Sequence, residues 1–131
     1  MTTIRVVLAD DNAALMAAVR ETLDEKFEVV AAVENGSQAV EAVLELDPDV
    51  LIIDISMPVM DGLKASAALH AVGCRTKILL LTNYEDSQFV AAALSTGASG
   101  YVFKRRLYDD LMPALREALL GHRFVSPAIT T

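Results

Sequence analysis

The stretch "LIIDISMPVMDG", residues 51–62, begins as an apolar strand and ends in a polar loop. Its first three residues are aliphatic, and Asp54 follows them directly. Strands that are apolar on both faces are typical of a parallel sheet covered by helices on each side. A carboxylate near a core is costly, on the order of several kcal/mol, unless another group pairs with it. The stretch therefore predicts a buried parallel strand and a partner for Asp54.

The same pattern of short apolar runs between helical segments extends along the rest of the chain. It predicts strands at residues 4–9, 28–33, 50–54, 77–82 and 100–103, and helices at residues 12–27, 37–46, 63–72, 87–97 and 107–121. Pro113 lies inside the last predicted helix, at about its second turn. Strands that alternate with helices in this way predict an α/β fold, a doubly wound five-stranded parallel sheet.

Length and composition limit the class of protein. The chain has 131 residues, of which 53% are hydrophobic and 22% are charged, which fits one globular domain. Its net charge of -7 argues against tight, nonspecific binding of nucleic acid. Cys74 is the single cysteine, so an internal disulfide is excluded and a free thiol is expected. Neither a membrane span nor a signal peptide is predicted, so the expected location is cytoplasmic.

Polar residues are concentrated where the predicted strands end. Asp10 and Asp11 follow the first strand, Asp54 ends the third, Thr82 ends the fourth and Lys104 follows the fifth. Taken singly, each has a simpler interpretation, since an acid after a strand is often a helix N-cap and a lone lysine is usually solvated. In a doubly wound sheet, however, sites form outside the carboxyl ends of the strands, and all five side chains meet at that edge.

This combination of side chains suits phosphoryl transfer. Three neighbouring carboxylates repel one another unless a cation lies among them, and Mg²⁺ prefers such oxygen ligands. A carboxylate held by that ion can act as a nucleophile. An amine and a hydroxyl can then bind the phosphoryl oxygens, which carry negative charge in the transition state.

Four motifs in this order resemble the receiver domain of bacterial two-component response regulators. They are "LADDN", "DISMPVMDG", "LLLTN" and "SGYVFKR". The resemblance covers residues 1–121 and implies a flavodoxin-like (βα)5 fold with strand order 2-1-3-4-5. The segments "ASGYVFKR" and "LLGHRFVSPAIT" resemble the receivers of the NarL/FixJ (LuxR-type) subfamily.

The resemblance implies a phospho-acceptor and a metal site. Asp54 would accept a phosphoryl group from a sensor histidine kinase. Asp11 would ligate Mg²⁺ directly and Asp10 mainly through water, with Asp54 and the backbone carbonyl of Ser56 completing the protein ligands. Mn²⁺ is the alternative ion. The domain would be a phosphorylation switch, not an enzyme in the usual sense. It would catalyse its own Mg²⁺-dependent phosphoryl transfer and slow dephosphorylation.

The resemblance also implies the residues that respond to the phosphoryl group. Lys104 would pair with it, and Thr82 would be the switch hydroxyl that moves to bond it. Tyr101 would be the aromatic residue that turns inward as Thr82 moves. The alternative for Tyr101 is a packed strand residue with its hydroxyl at the surface.

The chain departs from the family pattern near these residues. Arg105 stands where many receivers have a proline with a cis bond, so a trans peptide is expected. Asn83 is larger than the usual residue after Thr82, and Ser56 and Tyr84 occupy positions that tune phosphoryl loss in the family. Arg105 and Arg106 are expected to be solvated or to contact acids of a partner.

Residues 1–121 are expected to form the receiver domain, and residues 122–131 a linker stub or tail. The chain has no room for a DNA-binding domain. It is therefore either a longer protein cut at its linker or a stand-alone receiver. The expected output is transcription through an absent helix-turn-helix domain, which alone would contact DNA. Phosphorylation would favour a homodimer, and no membrane partner is expected.

Three other functions were compared with this one. Phosphatases of the haloacid dehalogenase type carry a second acid two residues after their nucleophile, where this chain has Ser56. The sequence lacks the distinctive phosphate loop that a flavin-binding function would require. An interaction-only pseudo-receiver is the remaining alternative, although such domains usually lose an acid or the lysine, and this chain keeps them all.

Overall fold

The fold is a parallel sheet with helices on both faces, seen in a computed structural model that describes residues 3–127. The strands are β1 (Ile4–Ala9), β2 (Phe27–Val33), β3 (Val50–Asp54), β4 (Lys77–Thr82), β5 (Gly100–Phe103) and β6 (Phe124–Val125). The helices are α1 (Ala13–Thr22), α2 (Gly36–Leu46), α3 (Gly62–Ala71), α4 (Ser87–Ser95) and α5 (Leu107–Leu119), with a 3-10 turn at Lys104–Arg106. No helix within residues 3–127 combines the length and apolar character that crossing a membrane requires.

The sheet has the strand order β2-β1-β3-β4-β5-β6 with every pair parallel. The predicted α/β class and the order 2-1-3-4-5 are therefore confirmed. The winding direction reverses between β1 and β3, where Ala9 pairs with Ile53. In doubly wound sheets the crevice at this switch point is the usual site of binding or chemistry.

Side chains alternate between the two faces of the sheet, and both faces are covered. Val7 and Leu51 pack with α2, α3 and α4 on one face. Val6 and Ile52 pack with α1 and α5 on the other. Burial on both sides explains why the central strands read as continuous apolar runs.

Four helices begin at a side-chain cap of the same kind. Asn12, Asn35, Asp61 and Asp86 each accept a hydrogen bond from an amide of the first helical turn, at α1, α2, α3 and α4 respectively. Such caps stabilise a helix start by about 1 kcal/mol. Asp61 is therefore a capping residue, although it belongs to the same acidic motif as Asp54.

The first helix is shorter than predicted. The prediction of a helix over residues 12–27 was wrong beyond Thr22, where α1 ends. Asp24 accepts a hydrogen bond from the amide of Lys26 in a turn, and Phe27 then pairs with Ile4 at the start of β2. The apolar side chain of Phe27 fits the helical period, but it packs in the core as part of the strand.

The sheet has a sixth strand that the sequence did not predict. Phe124 and Val125 pair with Gly100 and Tyr101 along the edge of β5. This segment was expected to be a tail because two residues are too few to show a strand period. It forms a strand because the edge of β5 offers unpaired backbone groups. The rest of the predicted tail, residues 128–131, lies outside the described residues.

Candidate functional site

The carboxyl edge of the sheet, formed by the ends of β1, β3, β4 and β5, brings the three predicted acids together. Asp10 and Asp11 follow β1, and Asp54 is the last residue of the adjacent β3. One carboxylate oxygen from each lies within 4.8 Å of the other two. Asp10 and Asp54 are buried, whereas Asp11 is exposed, so solvent reaches the cluster from the Asp11 side.

The two oxygens of the Asp10 carboxylate differ in their hydrogen bonding. Its Oδ1 accepts a hydrogen bond of 2.8 Å from the amide of Asn12, whereas its buried Oδ2 has no hydrogen-bond partner among residues 3–127. Burial raises the pKa of Asp10 to about 6, and the charge of Asp54 adds to this effect. A buried oxygen without a partner beside two other carboxylates is an arrangement that a hard divalent cation satisfies. The residues present therefore fit Mg²⁺.

Asp54 has partners for both of its oxygens. Lys104 Nζ lies 3.1 Å from Oδ2, and the amide of Ser56 donates to Oδ1 at 3.2 Å. Lys104 starts the 3-10 turn after β5, and β4 lies between β5 and β3. Only a long side chain can span that intervening strand, since neighbouring strands are about 4.8 Å apart. The partner that the apolar strand required is thus a lysine from two strands away.

Thr82 lies at the end of β4, between Asp54 and the strand that leads to Lys104. Its side chain is almost completely buried, and its Oγ1 accepts a hydrogen bond of 2.8 Å from the amide of Tyr84. The hydroxyl is therefore held by the β4–α4 loop, residues 83–86, and does not bond Asp54.

Tyr101 is fully buried in β5, with its phenol directed into the protein. The hydroxyl donates a hydrogen bond of 2.7 Å to the carbonyl of Tyr84, and the ring packs edge-on against Phe103. Burial raises the pKa of the Tyr101 phenol above its usual value. The alternative of a hydroxyl at the surface is therefore wrong for this structure, and because the ring already lies inward, its turning with Thr82 stays a prediction.

Tyr84 makes more contacts with these residues than the sequence revealed. Besides its backbone bonds to Thr82 and Tyr101, its phenol oxygen lies 3.3 Å from Ser56 Oγ, which donates to it. Its ring stacks on Phe89 of α4 with centroids 4.7 Å apart. The β4–α4 loop thus contacts the Ser56 loop, β5 and α4 through one residue. The metal-binding role of the Ser56 carbonyl stays a prediction.

The two arginines after Lys104 form ion pairs within the chain. Arg105 binds Glu85 of the β4–α4 loop through two hydrogen bonds, one of them 2.6 Å long. Arg106 binds Asp110, one helical turn later in α5, at 2.7 and 3.0 Å. Arg105 is exposed and Arg106 is partly exposed, which agrees with the prediction that they are solvated, but the acids they contact belong to this chain and not to a partner. The residues described, 3–127, contain no cis peptide bond, which confirms the expected trans bond before Arg105.

A doubly wound parallel sheet whose carboxyl edge carries three acids, a threonine and a lysine is the arrangement expected of a receiver domain. The family model of the response regulator receiver domain matches residues 6–116. The chain belongs to this family, and the resemblance seen in its motifs is confirmed.

Several proteins similar to this chain are regulators. The chain is 38% identical over 129 residues to the uncharacterized transcriptional regulatory protein YvfU of Bacillus subtilis, covering 97% of this chain and 64% of that one. It is 37% identical over 131 residues to the oxygen regulatory protein NreC of Staphylococcus haemolyticus, covering 98% and 60%. A LuxR-family two-component response regulator from Aurantimonas superimposes with a TM-score of 0.89 at 29% identity, covering 96% and 91%. The chain spans less than two thirds of the length of these two curated relatives.

Proposed function

We propose that this chain is a phosphorylation switch in which a sensor histidine kinase transfers a phosphoryl group to Asp54. The main support is the setting of Asp54. It is buried at the switch point of the sheet, 3.1 Å from a lysine amine and within 4.8 Å of two further carboxylates. That environment places positive charge beside the carboxylate, where phosphoryl oxygens would lie.

The carboxylates of Asp10, Asp11 and Asp54, with the carbonyl of Ser56, would hold Mg²⁺, or Mn²⁺ as the alternative. When bound, the ion would supply positive charge to the carboxylates and to the phosphoryl oxygens. Exposed Asp11 would ligate the ion directly, and Asp10, with its unpartnered Oδ2, would act mainly through water. The acids of the chain thus position the nucleophile, and the ion offsets their mutual repulsion.

In the transfer step, one oxygen of Asp54 attacks phosphorus and forms an O–P bond. The N–P bond of the donor phosphohistidine breaks, and the imidazole leaves with its electron pair. Lys104, already 3.1 Å from Oδ2, then pairs with a phosphoryl oxygen. Hydrolysis of the acyl phosphate by water would restore the carboxylate slowly.

The conformational response begins at Thr82. Its hydroxyl would leave the amide of Tyr84 and bond the phosphoryl group, which frees the β4–α4 loop to move. Tyr101 follows, because its phenol is bonded to the carbonyl of Tyr84. Phosphorylation would therefore shift a population between two states of the loop and of β5. The output would be transcription in the cytoplasm, through homodimerisation and a helix-turn-helix domain outside this chain that alone contacts DNA.

Labelling with acetyl phosphate and Mg²⁺ tests the assignment of Asp54. Wild-type protein should gain a label that hydroxylamine removes, as expected of an acyl phosphate, and Asp54→Asn should gain none. Asp61→Asn is the matched control, because Asp61 belongs to the same motif but caps α3, and asparagine caps equally well. A folded Asp54→Asn protein that still takes up label would contradict the assignment. Absence of label on the wild type would favour the interaction-only pseudo-receiver.

A further inference from the structure

The segment that follows α5 pairs with Gly100 and Tyr101, the first two residues of β5. Phe124 donates its amide to the carbonyl of Ser99 at 3.1 Å, and Ser126 donates its amide to the carbonyl of Tyr101 at 2.9 Å. The pairing is parallel and in register, with Phe124 opposite Gly100. The edge of the sheet next to the candidate site is therefore closed by the chain itself.

Ser126 is the anchor of this segment. It is only 2% exposed, and its Oγ accepts a hydrogen bond of 3.1 Å from the amide of Phe103. Burial opposes ionisation of nearby Asp110, but hydrogen bonds from Arg106 and Ser126 outweigh it and lower the pKa of that carboxyl. Ser126 thus joins the backbone of β5 to an ionised acid on α5. A buried serine with this many partners is more than the end of a linker.

Both anchor points lie on residues that adjoin the candidate site. Phe103 immediately precedes Lys104, whose amine pairs with Asp54. The carbonyl of Tyr101 accepts a hydrogen bond from the amide of Ser126, and its phenol donates one to the carbonyl of Tyr84. A shift of the β5 backbone at either residue changes the geometry of the bonds to Ser126.

We propose that residues 124–126 are an internal partner of β5 that binds the unphosphorylated state more tightly than the phosphorylated state. This inference rests on the proposed function of Asp54. When Lys104 turns from Asp54 to a phosphoryl oxygen, the Phe103–Lys104 backbone moves and the amide of Phe103 leaves Ser126. Release of the segment then transmits the state of the site to whatever follows residue 127. Because coupling between two equilibria is reciprocal, removing the anchor must favour the phosphorylated-like state by the same factor.

Amide hydrogen exchange, followed residue by residue by NMR on the full chain, tests this inference. The probe is beryllofluoride with Mg²⁺, compared with Mg²⁺ alone. Saturating beryllofluoride should accelerate exchange of the Phe124 and Ser126 amides by about three- to tenfold, the range that one neutral hydrogen bond provides. Ser126→Ala should bind beryllofluoride more tightly by a similar factor. Val72→Ala, which alters an exposed valine outside this segment and outside the candidate site, should bind like wild type.

Each result has a definite meaning. Unchanged or slower exchange of both amides in a beryllofluoride-loaded protein overturns the inference, whether or not Ser126→Ala folds. So does a folded Ser126→Ala protein whose affinity for beryllofluoride equals that of wild type. If amides around Asp54 do not shift on titration, beryllofluoride does not bind, and the proposed function fails together with the inference. Shifts around Asp54 without a response at residues 124–126 leave the proposed function standing and reject the internal partner alone.

Discussion

Asp10→Asn should make this protein more stable while removing part of the proposed metal site. Asp10 is 3% exposed, and its Oδ2 has no hydrogen-bond partner. Burial raises its pKa from 3.8 to about 6, so the folded protein binds this proton more tightly than the unfolded chain does. The stability that this group contributes is therefore complete below about pH 3.8 and is lost as the pH rises through about 6.

The magnitude follows from the same shift. A rise of about two pKa units corresponds to about 3 kcal/mol at pH 8, since one unit is about 1.4 kcal/mol. Asparagine has nearly the same volume, can still accept from the amide of Asn12, and does not ionise. In EDTA at pH 8, Asp10→Asn should raise the free energy of unfolding by about 1–3 kcal/mol, where the lower value allows for relaxation around the charge. At pH 4 the gain should fall below about 1 kcal/mol.

Urea unfolding in EDTA measures this difference. Asp11→Asn is the matched control, because it removes the same charge from the exposed neighbour and should change stability by about 0.5 kcal/mol or less. Adding Mg²⁺ should stabilise the wild type and reduce the advantage of Asp10→Asn, since the ion binds only the folded site. If Asp10→Asn unfolds at a lower urea concentration than wild type at pH 8 without Mg²⁺, the charge at Asp10 is compensated and the reasoning is wrong.

Three other substitutions test the packing around the site. Gly62→Ala should lower the free energy of unfolding in urea by more than about 2 kcal/mol, because the added Cβ would lie 2.4 Å from the backbone oxygen of Asp54. Near-wild-type stability would show that the loop before α3 moves to accommodate the Cβ. Val59→Gly should raise the midpoint of thermal unfolding by about 2–4 °C, because this exposed β-branched residue has a φ of 69°. An unchanged midpoint would mean that the backbone at Val59 is not strained. Asp110→Ala should lower the free energy of unfolding by about 2–3 kcal/mol at pH 7, because it leaves Arg106 without its buried partner. That loss should shrink as the pH falls below about 4, since the paired carboxyl has a lowered pKa, and urea unfolding at both pH values checks it.

The sequence identified the candidate site well because its residues occupy equivalent positions along the chain. Asp10, Asp54, Thr82 and Lys104 each stand at or just after the end of an apolar strand. In a parallel sheet these ends lie at one edge, so the period of the strands alone brings the side chains together. The pairing of Lys104 with Asp54 follows from the same geometry, because a buried carboxylate needs a partner within reach.

The sequence did not reveal the contacts that depend on loop conformation. Nothing in the order of residues places Glu85 beside Arg105, because their distance depends on both the β4–α4 loop and the 3-10 turn. The pair of Arg106 and Asp110 was within reach of prediction, since its spacing is that of one helical turn. Strand β6 could not be predicted, because its two residues join the sheet through backbone groups that any sequence offers.

The two buried acids of the site, Asp10 and Asp54, differ in what compensates their negative charge. This difference connects the site to the rest of the fold. Asp54 has a cation from the chain, whereas Asp10 has an oxygen without any partner. The chain therefore compensates the proposed nucleophile itself, whereas compensation of Asp10 would come from the proposed ion. On the proposed function, Lys104 would be shared with a phosphoryl group, and Asp54 alone would no longer position its backbone. Since the amide just before Lys104 is bonded to Ser126, the charge that neutralises the nucleophile lies one peptide unit from the segment that leaves the domain.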